Sequence, residues 1–569
     1  MLRVLVVVSL AAAVIAKGPF LKQTANQTWI FGNDLWNVTQ GPFYATQLYS
    51  DLVPGVDLVG TAVGHYAGID GENNLEWTSA TIVAEGADYI DISFSATQGD
   101  FHWVVFDDLR GAYQYFVGKD LPYLEIFRSL WRLNPNLFLN GRTNIKDGPL
   151  PPFYLYSANN SVKVQDETWE LPNGTFITKY DWSNFVRDRD YYGIYGPGLV
   201  GSWFIHPSSE YHSGSQLSQT LTVHRESSTG DSVQLNVVQD TSHFRVGNQT
   251  LPQGKTWGPW LWYLNNGSLP DVVQQREKEV GAFPYSWYED AAYRSRGSVA
   301  GRLRLSDGRI GGGASVFLGD PDTSIRPLVQ GAKYYYTVTA GGDGAFSFQN
   351  VRTGQYGLYV WADGGSLADV YTNVTIAPIS ILEGQLTDLG VLEWALPAAR
   401  TSIFRLGDFD KKSLGFKNSG WPYQHGITDL SPANLTFTVG ASSAGEDWFY
   451  AMSALGTWTI QFQIDAADLA KYGAGGKALL SISLASYSQS TALNIDVNGH
   501  LLGSLSKDDL SSDPSLYRSS RISGEWHFFQ YDIDPSQLVE GTNTIGFTVT
   551  RYVQWRGLMW DAIFLEWQG

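Results

Sequence analysis

The chain has 569 residues, a formal net charge of −18, 14% aromatic residues, 60 glycines and no cysteine. That length exceeds what one hydrophobic core serves and calls for three or four domains. The acidic balance argues against a nucleic-acid partner, and the missing cysteines exclude disulfides, thiolate zinc sites and a catalytic thiol.

The first residues, MLRVLVVVSLAAAVIA, place one arginine ahead of an apolar run and small residues, the pattern of a secretory signal peptide over 1–16. The run is too short for a membrane anchor, and no later stretch is apolar enough to span a bilayer. A secreted, extracellular protein with no membrane partner is expected. Eight Asn-x-Ser/Thr sequons, at Asn26, Asn37, Asn159, Asn173, Asn248, Asn266, Asn373 and Asn434, become glycosylation candidates in that setting.

From 17 to 293, short alternating runs such as TIVAEGADYIDISFSA and FHWVVFDD are split by Gly, Asn and Asp. Period-two alternation with regular turn signals predicts a large antiparallel β-sandwich, closed by a short helical stretch near 270–293. Residues 294–397 predict a small seven-stranded sandwich. Residues 398–569, with WTIQFQIDA, ALLSISLAS and NTIGFTVT, predict a jelly roll. The chain thus reads as all-β. Two glycine-rich runs are turns and not phosphate loops. Gly311-Gly312-Gly313 has no Lys-Ser/Thr after it, and in GAGGK (473–477) Lys471 and Ala478 occupy the places of the required Gly and Ser/Thr.

Several constellations fail early. His206 and His212 are spaced for neither one helix face nor a known zinc pattern, and read as loop or strand histidines. No G-x-S-x-G elbow is present. Paired carboxylates for glycoside hydrolysis stay open, because spacing in sequence does not reveal a pair. Calcium is the metal such an acidic extracellular protein would hold, but no loop names its ligands.

YLEIFRSLWRLNPNLF is more pointed. Arg128 and Arg132 lie four apart, on one face if the segment is a strand. They are either ordinary surface arginines or a carboxylate clamp above a buried Phe127 and Trp131. In FITKYDWSNF, Lys179 taken alone reads as a solvated surface lysine. Arg187, Asp188, Arg189 and Asp190 read as a solvated salt-bridged loop. A strand over 232–238 runs into a polar stretch holding His243, which taken alone reads as structural.

Together these pieces resemble the rhamnogalacturonan lyases of polysaccharide lyase family four. The resemblance is carried by Arg128-x-x-x-Arg132-Leu-Asn, by the lysine before an aromatic in TKYDWS, and by a small residue before histidine in TSHF. The segments IFRLGDFDKKSLGFKN, LVEGTNTIGFTVT and MWDAIFLEW, and the order of the three units, add to it. It implies a fibronectin-type-III-like second unit and a carbohydrate-binding-like jelly roll. It places Lys179 and His243 on the catalytic lysine and histidine, and Arg128 and Arg132 on substrate-binding arginines. Some members carry tyrosines where this chain has Asn236 and Val238, and a glycine pair where it has Gly214-Ser215.

The implied reaction is β-elimination at a rhamnose-α-1,4-galacturonate bond of rhamnogalacturonan I, acting as a monomer without a required cofactor. The galacturonate C5 proton lies α to a carboxylate, and its removal builds a second negative charge there, so fixed guanidiniums favour the transition state. A free lysine is protonated at neutral pH; burial and neighbouring cations push its pKa down and free it as a base. Lys179 is the favoured base, with His243 protonating the departing oxygen or orienting the uronate. The residues leave two other readings: a hydrolase on the same polymer, and a pectin-binding protein without activity.

Overall fold

A computed structural model describes residues 18–61, 63–69, 74–119, 121, 126–165, 167–240, 249–420, 425–473, 476–518 and 521–568. The signal-peptide candidate, His243 and Asn248 lie outside the described residues. Strands dominate, and the chain is all-β as expected. No helix among the described residues is long and apolar enough to cross a membrane.

Three sheets share the core of the first unit. A meander of four strands, Phe20–Ala25 to Ala45–Ser50, packs with a four-stranded sheet in the order Val223–Arg225, Ser232–Gln239, Phe127–Leu133, Tyr66–Ile69. Both bury residues against a nine-stranded antiparallel sheet that runs from Asp147–Pro149 at one edge to Ser79–Glu85 at the other. Trp29, Phe31 and Trp36 of the meander, Trp131 of the four-stranded sheet, and Trp103 and Trp262 of the nine-stranded sheet meet in one cluster. Trp131 stacks on Trp262 with ring centroids 4.9 Å apart.

The expected alternation fails in the middle of this unit. Val200–Ile205 and Ser232–Gln239 are buried at every position, and Gly99–Phe106 is buried on both faces through most of its length. Ser232–Gln239 lies in the four-stranded sheet, where Val233, Leu235 and Val237 pack with Ile126, Leu130 and Leu221. For the other two strands the cause is a second cover on the nine-stranded sheet. Val272 of the Leu269–Ala282 helix packs on Trp203, Ile205 and Leu261, and Tyr288 and Tyr293 pack on Val104 and Tyr115. The helix begins where Ser268 accepts a hydrogen bond from the Asp271 amide and Pro270 occupies the first turn. It stops at Phe283, because the following Pro284 cannot continue it.

The second unit has seven strands, three in one sheet (Ala345–Arg352, Arg296–Leu305, Leu386–Trp394) and four in the other (Tyr336–Thr339, Ser315–Gly319, Gly354–Trp361, Val374–Ile381). The third holds two five-stranded sheets over its own core, with Trp448, Trp458 and Trp560 at its centre. Glu210 of the first unit joins it to the second, accepting from Arg296 at 2.8 Å and Arg352 at 2.7 Å. Burial opposes the Glu210 charge, but the two guanidiniums overcome it and hold the carboxyl down at about 2.

His65 shows what such a packed core does to a titratable group. Its ring lies among Phe101, Trp103 and Trp131, with Nε2 2.9 Å from Ser129 Oγ and Nδ1 buried without a partner. Burial pushes its pKa down to about 3. The folded protein therefore keeps His65 neutral, while the unfolded chain binds a proton below roughly pH 6.5. Stability is unaffected by this group above that pH and is lost as pH falls from 6.5 towards 3. Between pH 6.5 and 5 the cost is about 2 kcal/mol. Calorimetry of wild type and His65→Gln at pH 7 and pH 5 checks this: the transition of the variant falls less on acidification.

Candidate active site

The four-stranded sheet carries a row of outward side chains set by register. Arg128 stands opposite Val237 on one side and Gly68 on the other. Leu130 stands between Leu235 and Tyr66, and Arg132 opposite Val233, which is itself opposite His224. Directly opposed residues of antiparallel strands share a face, so Tyr66, Arg128, Arg132 and His224 project together. The alternate residues, Phe127 and Trp131, are fully buried in the core behind. The fold thus sets two half-buried, projecting guanidiniums above a buried apolar face.

Lys179 reaches the same place from a different element. The short strand Phe176–Thr178 ends in a 3₁₀ turn, Lys179–Trp182, in which Thr178 Oγ1 accepts from the Tyr180 amide. Tyr180 and Trp182 are buried on the inner side of the turn, and Lys179 is half-buried with its ammonium 5.3 Å from the Tyr180 ring centre. A cavity of about 190 Å³ is lined by Arg128, Arg132 and Lys179 together with Tyr66, His224, Glu226 and Asp240 and a floor of aliphatic side chains. The lysine that looks bland in its own segment shares a pocket with both arginines.

The third unit holds this turn from outside. Phe176 meets Trp555 edge-on at 5.2 Å, the His425 amide donates to Asp181 Oδ1 at 3.2 Å, and Gln219 donates to the Ser523 carbonyl at 2.8 Å. Burial of Asp181 pushes its carboxyl up to about 6, against the opposing Lys146 charge and the His425 amide.

His224 and Glu226 are the site residues that reading the sequence missed. The segment VHRE sets His224 and Glu226 two apart, on one face of a strand and its extension, and that alternation was the available signal. Arg132 donates to Glu226 Oε2 at 3.1 Å and lies 3.9 Å from Asp231 Oδ2. His224 Nε2 is 3.9 Å from the same Glu226 oxygen, and its Nδ1 is buried without a partner. Burial lowers the His224 pKa and the Lys179 and Arg132 charges add to it, outweighing Glu226, so the ring is neutral at pH 7. Burial would raise Glu226, but the Arg132 charge and the Ser228 hydroxyl, which donates to it at 3.0 Å, hold it below the usual carboxylate range. Arg128 has no ion-pair partner among the described residues. His243 lies outside them.

Two further expectations are settled by neighbouring loops. The 187–190 stretch is solvated only at its carboxylates: Asp188 and Asp190 are exposed and Asp190 pairs with Arg276 at 3.1 Å, while both arginines turn inward. The Arg187 guanidinium donates to the carbonyls of Ser209, His212, Gly214 and Tyr335, and burial pulls its pKa down to about 9. Arg189 is only 2% exposed and donates to the Val237 carbonyl. The loop after Ile205 supplies three of these acceptors, which no charge pattern reveals. His206 and His212 are buried loop histidines, bonded to Tyr211 Oη at 2.8 Å and Asn236 Oδ1 at 3.2 Å. Asn236 and Val238 face the interior with them, so neither contacts a ligand in the cavity. Among the described residues no group of three or more His, Cys, Asp or Glu side chains is placed to hold a metal ion.

Comparison with known proteins bears on this geometry. Residues 306–380 match the family model for polysaccharide lyase family 4, domain II, and residues 402–565 the one for domain III. A rhamnogalacturonate lyase of Dickeya dadantii is 30% identical over 496 residues, 84% of this chain and 80% of that protein. A probable rhamnogalacturonate lyase B of Aspergillus niger is 25% identical over 456 residues, 68% of this chain and 62% of that protein. Among solved structures, a family 35 carbohydrate binding module from an environmental isolate covers 24% of the chain and 83% of its own length at 16% identity, with a TM-score of 0.14. At 30% identity across four-fifths of a lyase, with two domain models of one family matching in order, the chain belongs to polysaccharide lyase family 4.

Proposed function

We propose that the chain is a rhamnogalacturonan endolyase that cleaves the rhamnose-α-1,4-galacturonate bond by β-elimination. The observation that carries this is one cavity holding a lysine and two arginines in a protein of net charge −18, whose relatives are named for that activity. The galacturonate carboxylate sits against Arg128 and Arg132. Lys179, in its neutral form, takes the C5 proton, and the electron pair moves into the carboxylate as an enolate-like dianion. The guanidiniums bind that second charge, so they favour the transition state over bound substrate. Collapse of the enolate expels the C4 oxygen, which takes a proton from His243. The products are an unsaturated uronate end and a new end carrying the departing sugar. Glu226 keeps Arg132 aimed, and His224, neutral at the working pH, adds no competing cation.

The measurement is the ultraviolet absorbance of the unsaturated uronate during incubation with rhamnogalacturonan, with polymer size followed in parallel. Absorbance rising as size falls is expected; shortening without absorbance replaces elimination by hydrolysis.

Export by the 1–16 segment belongs to the same reading, since the polymer is extracellular. So does glycosylation, supported by the exposure of Asn26, Asn159, Asn173, Asn266, Asn373 and Asn434 and the half-exposure of Asn37. The protein acts as a monomer, and any calcium it holds is structural.

A further inference from the structure

A second depression, open and of about 560 Å³, lies beside the cavity and is lined by Phe43, Tyr44, Asn74, Glu76, Thr97 and Gln98, with Thr78. It is joined to the cavity by two contacts. Tyr44 meets Tyr66, a cavity residue, edge-on with ring centroids 5.4 Å apart. Asn74 forms a bridge with Gly68, which stands directly opposite Arg128, so the three lie in one row across the sheet. Two strand spacings put Asn74 about 10 Å from Arg128, on the order of two sugar rings.

Gly68 fixes which face Asn74 uses. A Cβ there would stand 2.7 Å from Asn74 Oδ1, so the amide lies over the glycine on the side where Arg128 projects. Its Nδ2 donates to Tyr44 Oη at 2.8 Å, which locks the tyrosine between cavity and groove. The chemistry of the groove differs from that of the cavity. It offers two half-exposed aromatic rings, an amide, hydroxyls and a carboxylate, and no described residue lining it is a cation. Aromatic faces with amide and hydroxyl partners suit the apolar face and hydroxyl rim of an uncharged pyranose. A uronate there would meet Glu76 with nothing to balance it.

We infer that this groove is a binding subsite for an uncharged sugar of the same polysaccharide whose uronate occupies the arginine cavity. Resting on the lyase reading, it assigns charge selection to position: uronate over Arg128 and Arg132, neutral sugar over Phe43 and Tyr44. The substrate crosses the sheet edge along the row from Arg128 through Gly68 to Asn74.

The test uses Phe43→Ala, Thr97→Trp and Glu76→Lys in the full chain, with initial rates from unsaturated-product absorbance on polymeric rhamnogalacturonan. Phe43→Ala removes a sugar-facing ring, and Thr97→Trp, at an exposed position that tolerates bulk, fills the groove. Each raises KM at least five-fold, with a smaller change in kcat. Glu76→Lys leaves KM unchanged or higher, because no anion lies there to reward a cation. A wild-type KM in Thr97→Trp overturns the subsite. A several-fold lower KM in Glu76→Lys overturns the neutral assignment and makes the groove a second uronate site. Wild-type protein that yields no unsaturated product sinks the lyase reading instead, and is told apart because it precedes any variant.

Discussion

Lys179→Ala lowers kcat on rhamnogalacturonan by about 10²–10⁴-fold, the usual contribution of a general base, while the thermal transition stays within a few degrees of wild type. The structure separates the two readouts. The turn that carries Lys179 is held by its backbone amide on the Glu167 carbonyl, by the Thr178 hydroxyl on the Tyr180 amide, and by the buried Tyr180 and Trp182. None of these uses the ammonium group, so the alanine variant keeps the turn. Lys179→Arg is the sharper control. It restores the positive charge, but a guanidinium does not give up its proton in the working pH range. If Lys179 only attracts the uronate, the arginine variant recovers most of the activity and the KM of the alanine variant carries the loss. If Lys179 removes the C5 proton, both variants lose kcat alike. Unsaturated-product rates under saturating substrate distinguish the two.

The arginine strand and the lysine turn differ in how far the sequence alone reveals them. In FRSLWRL the two arginines lie four apart, so on a strand they share one face, although Ser129 on the core side and Leu130 between the arginines break a strict alternation. Lys179 has no such local signature, because what makes its surroundings unusual comes from Arg128 and Arg132, some fifty residues upstream, and from His224, forty-five downstream. Only the resemblance joined them before the fold did. Arg187 and Arg189 were misread for a related reason. Their partners are backbone carbonyls of a loop and of a strand, and carbonyls leave no trace in residue identity. Val200–Ile205 and Gly99–Phe106 fail the alternation rule because a helix and an aromatic segment cover the outer face of the nine-stranded sheet, a tertiary fact that single-strand periodicity does not contain. Asn236 illustrates the limit of resemblance itself: the strand is where expected, yet its register turns that side chain towards His212 and away from the cavity.

The two arginines, equivalent in the sequence, separate in experiment. Arg132 is already engaged, donating to Glu226 and standing near Asp231, whereas Arg128 has no ion-pair partner among the described residues. Arg128→Ala therefore removes a cation whose main work is at the substrate carboxylate, where charge grows as the C5 proton leaves. It lowers kcat/KM by about 10²–10³-fold, the size expected for one preorganised donor at a developing charge, with little change in stability. Arg132→Ala lowers kcat/KM too, but it also leaves Glu226 ionised in a largely buried place with a neutral histidine for company. Part of that cost is screened, since both side chains keep some exposure, and a loss of about 1–3 kcal/mol is expected. Removing the stranded carboxyl reverses the sign of the second effect: Arg132→Ala with Glu226→Gln regains stability over Arg132→Ala alone but regains no activity. Denaturant unfolding of the three proteins beside their elimination rates checks both halves. Equal stability losses in the two single arginine variants would show that Glu226 does not discriminate between them. An activity recovered by the double variant would move the role of Arg132 from the substrate to the architecture of the cavity wall.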